Sequence, residues 1–101
     1  MDIEFPDRHL ALIETESAAQ TRLPVAVIQS ARLRLSMIRA APDVRTLKNW
    51  RSLGLSQGAP GSSEYFVSVS PEWVLSLRIE EVDNAMAVIV NSIEEKARGA
   101  A

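Results

Sequence analysis

There is no cysteine in this chain and only one histidine, His9. The first absence excludes disulfides, zinc thiolate centres, iron–sulfur clusters and cysteine nucleophiles, and the second leaves no His-rich metal site and no spare imidazole for triad chemistry. No cofactor and no metal is therefore expected. Aromatic residues make up only 5% of the chain. No apolar run approaches the roughly 20 residues that span a bilayer, and the acidic opening Met1-Asp2-Ile3-Glu4-Phe5 lacks the basic and hydrophobic regions of a signal peptide. The expectation is a cytoplasmic protein with no membrane partner.

What is present is ordinary globular material: 101 residues, 47% apolar, with a net charge of −2. That length holds one core, so residues 1–101 are read as a single domain. The small net charge hides a segregation. Residues 1–20 carry a net −4, residues 21–51 a net +6 and residues 52–101 a net −4. A cationic middle third suits either phosphate or an acidic partner, and it equally suits side chains that solvate a helix and pair with the protein's own carboxylates.

Alternation of Ile3 and Phe5 with Asp2 and Glu4 predicts an edge strand over residues 1–5, ended by Pro6. A helical half follows over residues 6–53. His9, Leu10, Leu12 and Ile13 form the stripe of a first weak helix, with His9 expected as a partly buried packing residue, and the polar run at 14–20 reads as a loose connection. The clearest helix covers residues 24–40: Pro24 suits its first turn, and Val27, Ile28, Ala31, Leu35 and Ile38 recur at three- and four-residue spacing. Pro42 stops it. Asp43 then caps a shorter helix over residues 44–53, with Val44, Leu47 and Trp50 inward and Gly54 at its end.

Three glycines and a proline without charge make residues 54–63 a surface loop. Residues 64–93 then read as an antiparallel meander: strands at 64–69, 73–79 and 85–91, turning at Ser70-Pro71 and Asp83-Asn84, and leading to a charged tail at 94–101. The fold class is α+β, an N-terminal edge strand and helices packed on a small antiparallel meander. By spacing alone no motif is strong. Gly58-Ala59-Pro60-Gly61 lacks the Lys-Ser/Thr of a phosphate loop, the acids Glu80, Glu81, Asp83, Glu94 and Glu95 read as solvated runs at strand and helix ends rather than a cation site, and Trp50 and Trp73 sit in phase with apolar stripes.

Several strings in order nevertheless resemble one family. They are the opening Met1-Asp2-Ile3-Glu4-Phe5, the helix start Leu23-Pro24, then Ile38-Arg39-Ala40-Ala41-Pro42-Asp43, then Leu47-Lys48-Asn49-Trp50-Arg51-Ser52-Leu53, and Glu72-Trp73 where the family has Gln-Trp. The chain resembles the RelE/ParE superfamily of toxin–antitoxin toxins, nearest the HigB-like plasmid-maintenance killer proteins, over most of its length. That likeness implies helices on one face of a small sheet and an antitoxin partner of helix-turn-helix type. It also implies an mRNA endoribonuclease acting on the ribosome, in which cationic side chains stabilise the attacked phosphate.

The chain departs from the family where that chemistry resides. Residues 56–63 carry no base, Ser68 and Val74 stand where the family has Arg, and Asn91-Ser92-Ile93 stands for Asp-Tyr-His. The remaining catalytic candidates are Lys48, Arg51, Tyr65 and Arg78, while Arg32, Arg39, Arg45, Lys48 and Arg51 are candidates for binding RNA or a partner. The implied protein is a toxin-like subunit with weak or absent RNase activity. The alternatives are a non-catalytic binding module on the toxin fold and a ParE-like gyrase inhibitor.

Overall fold

The computed structural model describes residues 1–83 and 85–95. Its elements run β1 (Asp2–Glu4), α1 (Arg8–Ala11), two short 3-10 turns (Leu12–Glu14 and Ala18–Thr21), α2 (Val25–Ala40) and α3 (Val44–Asn49). The strands β2 (Leu55–Gln57), β3 (Glu64–Ser68), β4 (Trp73–Val82) and β5 (Ala85–Glu95) follow. The protein is an α+β fold around one five-stranded sheet in the order β1-β5-β4-β3-β2.

The sheet is mixed: the meander is antiparallel as expected, and the direction of the edge strand, which the sequence left open, is parallel to its neighbour. β2 through β5 pair antiparallel, but β1 lies parallel to β5, with Ile3 opposite Val88. A parallel pair needs a long crossover, and the helical half supplies it. β1 is thus an edge strand, as expected, beside the last strand. The amino group of Met1 ties it further, donating to the carbonyls of Ile38, Arg39 and Ala41 at 3.2, 3.0 and 2.7 Å. These carbonyls end α2, where the helix dipole favours a cation.

Alternation along the strands divides the sheet into two faces. Ile3, Val88 and Ile79 form one cross-strand row, Val90, Leu77, Tyr65 and Gln57 a second, and Ile93, Leu75, Val67 and Leu55 a third. This face meets the helices in a single core with Leu10, Ile13, Val27, Ile28, Ala31, Leu35, Ile38 and Leu47. Leu35, Leu75, Leu53 and Val67 are wholly buried, each contributing roughly 1.5–3 kcal/mol of burial. The inward stripe of α2 is the one its spacing predicts, and Trp50 and Trp73 pack partly buried against the same core.

Other boundaries move. Pro24 is the N-cap of α2 rather than a first-turn residue, with ψ at 145°. α3 ends at Asn49 instead of residue 53, and Leu53 reaches the core through a turn that closes at Gly54, whose φ is +70°. The loop expected at 54–63 contains β2, because Leu55 packs against the core and its ladder continues to Gln57 opposite Tyr65. Gly58 closes that hairpin where a Cβ would stand 3.1 Å from the Phe66 ring. His9 is exposed rather than packed, since α1 turns Leu10 inward. The meander exceeds its expected end: β5 reaches Glu95, so Glu94 and Glu95 lie in a strand and not in a tail, while residues 96–101 lie outside the described residues. A register shift between Ser76 and Leu77 lets β5 carry the extra residue Asn91.

Candidate functional site

The basic third of the chain divides once folded. Arg32 turns back along α2 and donates from Nε to the Ile13 carbonyl and from Nη2 to the Thr15 carbonyl, both at 2.6 Å. Seven residues on, Arg39 makes a two-point ion pair with Glu14, one arm at 2.7 Å to Oε1 and the other to Oε2. Two turns of one helix face therefore hold the 3-10 segment Leu12–Glu14 against α2, in the fork geometry that guanidinium suits. Arg34 has its Nε buried without a hydrogen-bond partner.

The remaining bases cluster on α3 and the turn after it. Asp43 starts α3 by accepting from the Thr46 backbone N–H and hydroxyl, both at 2.8 Å. These two bonds, the backbone one foremost, hold its carboxyl below the ordinary value of 3.8, with Arg45 adding attraction. The cap sets the phase of the helix, so Arg45 and Lys48 at i and i+3 both lie exposed, with Arg51 exposed just beyond. Lys48 reaches over the ring of Tyr65, its Nζ 5.7 Å from the centroid. Beside this ridge Thr46, Asn49 and Trp50 line an open cavity of about 360 Å³.

Of the four catalytic candidates the fold joins only Lys48 and Tyr65. Arg78 follows Leu77, the partner of Tyr65, and so projects from the opposite face of the sheet, where it pairs with Glu80 at 3.2 Å and keeps a buried Nε without a partner. Arg51 stands in the turn between α3 and β2. His9 donates through Nε2 to the Gln20 carbonyl at 2.8 Å, beside a cavity of about 220 Å³ lined by Asp7, Thr21, Asn91, Ser92 and Glu94 among others. Asp7 is occupied there as the N-cap of α1. Among the described residues no polar or charged residue is buried, and no group of His, Asp and Glu side chains could hold a metal ion.

Sequence reading missed the character of the second sheet face. It has its own rows: Glu4, Ile89, Arg78 and Glu64; Asp2, Ala87 and Glu80; Ser92, Ser76, Phe66 and Ser56; Glu94, Val74 and Ser68. The signal lay in the polar alternates of β3 and β4, but which carboxylates share a row depends on pairing partners far apart in the chain.

Fold and site together define an α+β domain whose sheet is covered by helices on one face and which carries a cationic ridge at α3. Compared with known proteins, the chain matches no family model, no curated protein and no solved structure. Among the described residues no helix is long and apolar enough to cross a membrane.

Proposed function

We propose that this chain is a RelE/HigB-like killer-type subunit that acts by holding a partner protein, an antitoxin of helix-turn-helix type, and that its RNA cleavage is weak or absent. The observation that carries the reading is the dispersal of Lys48, Arg78, Arg32 and Arg39, which leaves the α3 ridge of Arg45, Lys48 and Arg51 as the one shared cationic patch among the described residues. Lys48 stands at the helix side of the sheet beside Tyr65, Arg78 lies on the other face, and Arg32 and Arg39 are engaged by the 3-10 segment. Phosphoryl transfer from a ribose hydroxyl needs several positive donors aimed at one phosphate, and these do not share one. The exposed trio Arg45, Lys48 and Arg51, with Trp50 at its side, supplies instead the kind of patch that proteins bind through: cationic edges around an aromatic.

Induced expression in a bacterial host tests both parts. Ribosome-bound transcripts are expected to stay intact, and specific cleavage of them would overturn the non-catalytic part. A small helix-turn-helix protein encoded beside this chain is expected to co-purify with it, and to be lost from Arg45→Ala/Lys48→Ala/Arg51→Ala. Failure of such a neighbour to bind the intact chain would overturn the partner.

A further inference from the structure

We propose that the sheet face turned away from the helices is a docking surface for a basic amphipathic helix of a partner protein. The inference goes beyond the reading above and holds whether or not the chain arrests growth. It starts from charge placed by register. Among the described residues five carboxylates, those of Asp2, Glu4, Glu64, Glu80 and Glu94, project from this face, with Arg78 the one cation beside them. Glu80 already pairs with Arg78. Such a face repels phosphate, so RNA is the ligand it disfavours, and it attracts lysine and arginine.

Between the acids lies an apolar strip. Ile89 and Ala87 are buried at 7% and 5% exposure although the helices pack on the other side, and Phe66 and Val74 are half-buried along the neighbouring rows. Ile89 and Ala87 are already closed off within the chain, so a helix laid on this face would cover the surface that Phe66 and Val74 still expose, and five strands leave ample width for its roughly 10 Å diameter. The acids stand on both sides of the strip: Asp2 and Glu4 on β1, Glu64 on β3. Neighbouring strands lie about 4.8 Å apart, so Glu4 and Glu64, three strands apart in one row, are separated by roughly 14 Å. That separation suits basic residues flanking an apolar helical stripe. At the β1 side the face opens into a cavity of about 330 Å³ lined by Asp2, Glu4, Asp83, Ala85, Met86 and Ala87, a receptacle for one long cationic side chain.

The test uses the full chain and three labelled probes read by fluorescence anisotropy: an 18-residue peptide with a leucine stripe flanked by lysines, the same peptide with glutamates for lysines, and a single-stranded RNA of similar length. The lysine peptide is expected to bind, and the other two are not. Glu4→Gln/Glu64→Gln should weaken it about tenfold, whereas Glu16→Gln/Glu81→Gln, equal in charge and off this face, should change it less than about twofold. Equal losses in the two variants, absence of binding, or equal binding of the glutamate peptide or RNA would overturn the proposal. Amide shift mapping on the unmodified chain tests it independently of any variant's folding: perturbations must centre on Phe66, Val74 and Ile89, and perturbations centred on α2 or α3 would also overturn it.

Discussion

Lys48 on α3 lies over the ring of Tyr65 on β3, its ammonium 5.7 Å from the ring centroid. The contact joins α3 to the first strand of the meander. A double-mutant cycle between Lys48→Met, which keeps the aliphatic stem, and Tyr65→Leu should return a coupling of about 0.5–1 kcal/mol in urea denaturation. A coupling of zero would show that Lys48 contributes only through its stem.

The two arginines of α2 differ in what they hold. Arg32 donates to two backbone carbonyls, so Arg32→Ala should destabilise the fold by about 1–2 kcal/mol, and Arg32→Lys should recover little because an ammonium cannot span both acceptors. Glu14→Gln, which breaks the more exposed pair with Arg39, should cost no more than about 1 kcal/mol. Thermal or urea unfolding checks the order.

Asp43 gives a pH dependence with a definite sign. Its carboxyl is held below 3.8 in the folded chain by the Thr46 bonds. The stabilisation is therefore fully present above the unfolded value and is lost as pH falls through the lower folded one. The difference in melting temperature between the unmodified chain and Asp43→Ala should be constant from neutral pH to about pH 5 and shrink below pH 4. Asp43→Asn should keep much of the cap and lose that acid-side dependence.

Core truncation should be severe for so small a domain. Leu35→Ala or Leu77→Ala empties a position 0% or 1% exposed and should cost about 2–5 kcal/mol, enough to leave a marginal domain largely unfolded by circular dichroism. Gly54→Ala meets no atom within 4 Å yet must hold φ at +70°, so its cost of about 1 kcal/mol is purely one of backbone conformation.

The legible parts of this protein were those governed by local periodicity. The inward stripe of α2, the Asp43 cap, the alternation of β3 and β4 and the basic middle third all follow from spacing between near neighbours, because a helix or strand repeats its geometry every few residues. β2 escaped that reading because three residues are too few for a pattern, and only pairing with β3 makes them a strand.

What only the tertiary structure decided is which residues from distant parts of the chain share a surface. Sequence shows that Arg32, Arg39, Lys48 and Arg78 are basic. Folding gives the first two to carbonyls and a carboxylate near residue 14, sets the third over Tyr65 and turns the fourth to the other side of the sheet. Likewise Glu4 and Glu64 become members of one row only because β5 and β4 stand between them. Local propensity acts over a few residues of backbone, whereas strand partners and ion pairs are selected by burying one common core, and that selection couples positions far apart in the chain.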